Sequence, residues 1–305
     1  MHYEIAVRPP YAWKALLAFL SDRLIAGVEH VDEGRYLRSL VIESSGERHR
    51  GWVEVSLSPH TPTLHVAIAP SLSCVSSLVF ERMSRLFDVT CNPQAISQVV
   101  QALHPVAGLR VPGTVDGFEI GVRAIVGQQV SVKAAKTLAG RIAARFGEPV
   151  VTPSAMVTRT FPRAQSLAAL SCGDLTALGI TTKRADSIIA LAQAVASNTL
   201  ALSPPTHVAQ TIEQLKNLPG IGEWTAQYIA MRALSWPDAF PHTDLGVMNA
   251  LGERNPRKIL AMAERWRPWR AYATMGLWAS LTLHTHNHPD RLRRRHHGTA
   301  VHGNH

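Results

Sequence analysis

An aspartate stands in Phe240-Pro241-His242-Thr243-Asp244-Leu245-Gly246-Val247, about one helix length beyond an aromatic-rich helix start, Glu223-Trp224-Thr225-Ala226-Gln227-Tyr228. A single carboxylate can stabilise a developing positive charge and take a proton from water. Trp224 and Tyr228 are four apart and share a helix face, where electron-rich rings stacked on a flat cation gain about 0.5 to 2 kcal/mol. Just upstream, Leu218-Pro219-Gly220-Ile221-Gly222 places two glycines between helical stretches over 208–216 and 223–234. Backbone N–H groups opening the second helix could there hold a DNA phosphate without reading sequence. Each feature also has a plainer reading. Asp244, helped by Thr243, is equally the N-cap of a helix from Leu245, the aromatics are core, and the glycines are a tight turn.

These residues need a helical scaffold, and the chain beyond Pro112 supplies one. Asp116 followed by Glu119 reads as a capping box opening a helix over 117–127, and Ser131 caps the next, with Leu138, Ile142 and Phe146 inward. Lys133, Lys136, Arg141 and Arg145 lie elsewhere on that second helix, as a solvated or a phosphate-tracking face. Further helices are expected over 183–197, 208–216 and 223–234. The first seventy residues read differently. Strands are expected at Tyr3 to Val7, Arg35 to Glu43, Trp52 to Leu57 and Leu64 to Ala69, around a helix from Trp13 to Ile25. Val53, Val55 and Leu57 alternate with polar residues, so one sheet face is buried. Two helical stretches follow, Val75 to Phe87 and Pro93 to Leu103. The fold class expected is α+β: an N-terminal antiparallel sheet domain over 1–90, a helical domain over 91–290, and a basic His/Arg-rich tail over 291–305.

Thirty-one Lys and Arg against 22 Asp and Glu give a formal charge of +9, which favours a polyanionic partner. No apolar run is long enough to span a bilayer, and no signal-peptide pattern opens the chain, so a cytoplasmic protein facing nucleic acid is expected. Three cysteines, Cys74, Cys91 and Cys172, form no CxxC pair and suggest neither a disulfide framework nor a thiolate metal site. Histidines alternating at 284, 286 and 288 could share a strand face toward a metal. They lead into an Arg/His run that reads more simply as added phosphate attraction.

Together LPGIGEWTA, FPHTDLGV and AERWRPWRAYA resemble the bacterial 3-methyladenine DNA glycosylase II family, AlkA, within the helix-hairpin-helix glycosylases. RPPYAW at 8–13, MSRLFD at 83–88, CNPQ at 91–94 and GVRAIVGQQVS at 121–131 match in the same order. The resemblance implies Asp244 as catalytic carboxylate, Trp224, Tyr228 and Trp278 as an aromatic base pocket, and Tyr11 and Phe19 as further cleft aromatics. It implies DNA contact at Gly220, Ile221, Gly222, Thr225 and Gln129, and a structural monovalent cation on the carbonyls of Lys216, Leu218 and Gly220. Alkylated purines are cations that leave as neutral bases, so one carboxylate suffices and no cofactor or catalytic metal is called for. A monomer acting on double-stranded DNA is expected. Lyase-active relatives carry a Schiff-base lysine where Trp224 stands, and three cysteines cannot supply their four-cysteine cluster, so no strand cleavage is expected. Gln129 stands where the family can carry a leucine wedge, and Leu245 where an aromatic can follow the aspartate. Two alternatives remain at this stage, a non-catalytic lesion binder and a glycosylase for oxidised or deaminated bases.

Overall fold

In the computed structural model, which describes residues 1–204 and 207–287, a five-stranded antiparallel sheet comes first and helices follow. The expected tail over 291–305 lies outside the described residues. Strands β1 (His2–Ala6), β2 (Glu29–Asp32), β3 (Arg35–Ser44), β4 (Glu47–Leu57) and β5 (Thr63–Ile68) run in the order β1-β5-β4-β3-β2. Four match the expected strands; β2 is the addition, a short edge strand whose polar sequence Glu29-His30-Val31-Asp32 carries no alternation signal. The face holding Tyr36, Leu40, Val53, Val55, Leu64 and Val66 is buried against α1 (Trp13–Asp22) and α2 (Ser76–Leu86), which contribute Leu16, Leu20, Val79 and Met83.

Helix α3 (Pro93–Val100) joins the second core through Ile96 and Val100. The helices that build this core are α4 (Gly117–Val126), α5 (Val132–Phe146), α6 (Ala164–Ala168), α7 (Cys172–Thr176) and α8 (Thr182–Ala196), followed by α9 (Val208–Lys216) and α10 (Glu223–Arg232). Last come α11 (Leu245–Leu251), α12 (Pro256–Ala263) and α13 (Arg270–Asn287). Helix α4 is buried on nearly every side, and apart from Glu119 and Arg123 its sequence is apolar.

The capping box at α4 is only half formed. Asp116 accepts from Phe118 N at 2.9 Å, as expected, but Glu119 turns away to bond Arg38 at 2.7 Å and Arg123 at 3.1 Å. A buried guanidinium is a stronger partner for a carboxylate than a helix-end N–H. Glu29 of β2 completes this cluster, 3.3 Å from Arg38 and 3.1 Å from Arg123, and takes a 2.5 Å bond from Tyr36 OH. Burial pushes the Glu29 carboxyl up, but Arg123 and Arg38 more than offset it and hold it below its ordinary value. The alternating ion pairs fasten the sheet to α4.

A second junction forms at Asp88, which accepts from Tyr272 OH of α13 at 2.9 Å and from Val111 N at 3.2 Å. Burial pushes the Asp88 carboxyl up to about 6 from an ordinary 3.8, against the pull of these donors and of Arg110. Below about pH 4 the group is protonated in folded and unfolded chains alike. Between about pH 4 and 6 only the unfolded chain releases the proton, so stability falls as pH rises through that window, by roughly 3 kcal/mol in total. Urea unfolding of wild type and Asp88→Asn from pH 4 to 7 should show this downward component in the wild type alone. Equal slopes for both would contradict it.

Candidate active site

The loop after α10 delivers Asp244 to the start of α11, and α13 returns beside it. A bidentate pair seats that return: Arg270 donates to Asp238 at 2.7 and 2.9 Å, and Arg267 adds a further short contact to the same carboxylate. At the other end of the loop, Phe240 N donates to Gln227 of α10 at 3.1 Å. The motif around Trp266, Trp269 and Arg270 therefore acts at a distance, by fixing where α13 places Trp278.

Asp244 does cap α11, accepting from Val247 N at 3.0 Å. It also accepts the indole N–H of Trp278 at 2.8 Å on Oδ1 and that of Trp224 at 2.9 Å on Oδ2. A helix cap needs one of these three donors. The two indoles come from different helices and hold a half-buried carboxylate in one orientation. Gly246 permits this approach, because a Cβ there would stand 2.9 Å from Asp244 Oδ1 and 2.9 Å from the Trp278 ring.

The aromatic rings form two layers. Trp224 stacks on Tyr228 with centroids 5.5 Å apart and planes at 20°, and Phe19 of α1 stacks on Trp278 at 6.2 Å and 14°. Tyr228 and Trp278 meet at 6.4 Å, tilted by 42°. The structure thus gathers Asp244, Trp224, Tyr228, Trp278 and Phe19. Tyr11 lies elsewhere: its OH donates to Phe87 O at 2.7 Å, its ring stacks on Trp13, and Arg110 covers it at 4.6 Å.

Three arginines absent from the sequence reading surround the rings. Arg23 lies 3.9 Å over Phe19, and Arg232 lies 5.0 Å over Phe19 while donating to Tyr228 OH at 2.8 Å. Arg123 bonds the Arg23 carbonyl. Burial pushes the Tyr228 phenol up, but Arg232, Arg23 and Arg123 outweigh it and hold the phenol below its ordinary value. Two of these arginines were visible in principle, since Phe19/Arg23 and Tyr228/Arg232 are both four apart on a helix. Arg123 is four residues from Glu119 on α4, a spacing that signals their ion pair but not its place near the rings.

The hairpin turn stands next to this group. Gly220 has φ +73°, and a Cβ on it would stand 2.1 Å from Ser187 Oγ. Gly222 caps α10 without a side-chain hydrogen bond, leaving first-turn N–H groups open to an anion. Ile221 is buried, and its N–H closes the turn on Leu218 O at 3.2 Å. The Thr225 hydroxyl is also buried and accepts from Gln128 Nε2 at 3.0 Å; the same amide donates to Gly220 O at 2.9 Å. Gln128, missed in the sequence, so braces the hairpin, while its neighbour Gln129 is exposed with φ +52°. Lys216 Nζ pairs with Glu213 at 3.1 Å and Glu223 at 3.3 Å. Leu245, beside Asp244, is 65% exposed. Among the described residues no group of His, Cys, Asp and Glu could hold a metal ion.

Two family models match the chain in tandem: AlkA N-terminal domain over residues 2–116, and HhH-GPD superfamily base excision DNA repair protein over 122–270. The chain is 40% identical over 277 residues to DNA-3-methyladenine glycosylase 2 of Escherichia coli, covering 90% of this chain and 96% of that protein. The chain belongs to the AlkA family of HhH-GPD base excision repair proteins. It is also 37% identical to a probable bifunctional transcriptional activator/DNA repair enzyme AlkA of Mycobacterium tuberculosis, over 91% of this chain but 56% of that longer protein. In fold it is similar to 3-methyladenine DNA-glycosylase from Archaeoglobus fulgidus, with a TM-score of 0.79, 21% identity, and coverage of 91% of this chain and 97% of that one. Membership of the AlkA family fits a sheet unit followed by a hairpin-bearing helical unit. Among the described residues, no helix is long and apolar enough to cross a membrane.

Proposed function

We propose that the chain is a monofunctional DNA glycosylase that hydrolyses the N-glycosidic bond of alkylated purines in duplex DNA. The observation that carries this reading is Asp244 held by two indole N–H groups beside a layered aromatic set. A purine methylated at N3 or N7 is already a cation, so it departs without a strong acid. Asp244 stabilises the oxocarbenium-like sugar, and Oδ2, which accepts only the Trp224 N–H among its described bonds, directs the attacking water. Trp224, Tyr228, Phe19 and Trp278 take the flipped cationic base by stacking. The first turn of α10 holds a backbone phosphate, with a monovalent cation on the carbonyls of Lys216, Leu218 and Gly220 as a further support. The protein works as a monomer in the cytoplasm.

Trp224 in place of an amine supports the absence of lyase activity, since a Schiff base needs a lysine within reach of the sugar. On methylated duplex the protein should leave strands intact until alkali is added, and borohydride should trap no adduct. Breaks before alkali, or a trapped adduct, would sink this part.

The phosphate role predicts that Gly220→Ala weakens binding to undamaged and methylated duplex alike, by about tenfold or more, because a phosphate contact carries no base information. Fluorescence anisotropy with both duplexes reads this. An unchanged affinity would remove the hairpin from the interface.

A further inference from the structure

A thiol and an imidazole meet on the sheet unit. His49 of β4 pairs with Ile42 of β3 and lies on the strand face shared by Gly51, Val53 and Val55. A 3-10 turn, Pro70–Val75, runs across that face. At Gly51 it approaches so closely that a Cβ would stand 2.8 Å from Ala69, Ser71 and Leu72 side-chain atoms. Ala69 N donates to Trp52 O at 2.9 Å and Ser71 Oγ to Arg50 O at 2.8 Å, which fixes the turn along the strand. Seated this way, it brings Cys74 Sγ to 3.3 Å from His49 Nδ1. Glu47, two residues along the strand, stands 3.9 Å from His49 Nε2. The imidazole is 16% exposed, while Cys74 is an exposed residue.

We propose that Cys74 is a nucleophilic modification site, activated by His49 and Glu47, that takes up soft alkyl electrophiles. Glu47 beside Nε2 favours the tautomer with its proton there, leaving the Nδ1 lone pair for the thiol S–H. On attack the S–H proton passes to Nδ1 and the sulfur electron pair forms an S–C bond. The bond from that carbon to its leaving group breaks, and the leaving group departs with the bonding pair. The imidazolium formed is paired with Glu47 until it loses its proton to solvent. The other two thiols are placed differently. Burial pushes the Cys91 thiol up to about 12, and partial desolvation followed by Asp186 pushes Cys172 up.

Timed exposure of the folded full-length chain to limiting iodoacetamide, with peptide mass spectrometry at each cysteine, tests this. Cys74 should be carbamidomethylated at least about tenfold faster than Cys172 in the same molecules. His49→Asn keeps a hydrogen-bonding atom near Nδ1 but cannot take the proton, so it should slow Cys74 at least about tenfold and leave Cys172 unchanged. Equal rates at Cys74 and Cys172 in the wild type would overturn the proposal whether or not the variant folds. A Cys74 rate untouched by His49→Asn would overturn it as well.

Discussion

Asp244→Asn should lower single-turnover base release from methylated duplex by about a thousandfold or more, equivalent to about 4 kcal/mol of transition-state stabilisation. Asparagine caps a helix as well as aspartate, so the Val247 N–H keeps its partner and the melting temperature should move little. The amide presents one carbonyl oxygen where the carboxylate presents two, and it carries no charge toward the sugar cation. With its carbonyl oxygen in the place of Oδ1, asparagine keeps the Val247 and Trp278 N–H groups, and the Trp224 indole then faces an NH2 group instead of an acceptor. Duplex binding should survive, since the hairpin is untouched. A variant that binds and folds normally yet releases base at the wild-type rate would leave Asp244 as a cap alone.

Glu119→Gln should produce the largest loss of stability. It leaves Arg38 and Arg123 sharing the single charge of Glu29 in a site where Arg38, Glu29 and Glu119 are 3%, 3% and 1% exposed. Breaking one partner of a buried ionic cluster costs about 3–5 kcal/mol, which corresponds to roughly 10 °C in melting temperature. Adding Arg38→Met restores charge balance, with Glu29 and Arg123 left as a pair. The double variant should therefore lose much less than the sum of its two singles. Differential scanning calorimetry of the four proteins reads the cycle, and strictly additive losses would mean the groups do not act together. Because Arg123 also bonds the Arg23 carbonyl beneath Phe19, Glu119→Gln should raise KM for methylated duplex as well.

The residues that do the proposed chemistry were the more legible part of the sequence. Gly220, Gly222, Trp224, Tyr228 and Asp244 lie within one hairpin and the loop that follows, so their spacing is local, but it was the resemblance to the AlkA family and not the spacing that implied their roles. The arginines around the rings were not legible in the same way. Arg123 is held by Glu119 of its own helix and by Glu29 of the sheet unit, 94 residues away in the chain. Glu119 could be read as half of a capping box because Arg38, 81 residues distant, is invisible to any local pattern. The strands with alternating apolar residues were found, and β2, a polar edge strand, was not. Cys74 and His49 are brought together by how a turn seats on a strand, at a glycine whose missing side chain gave no sign of its purpose.

The most direct measurement is chromatography of the material released when the wild-type protein is incubated with duplex DNA treated with methyl methanesulfonate. Free methylated purine, appearing over strands that break only on later alkali treatment, is the result expected. Methylated duplex left with every base attached, under conditions where the protein binds it, would contradict the account.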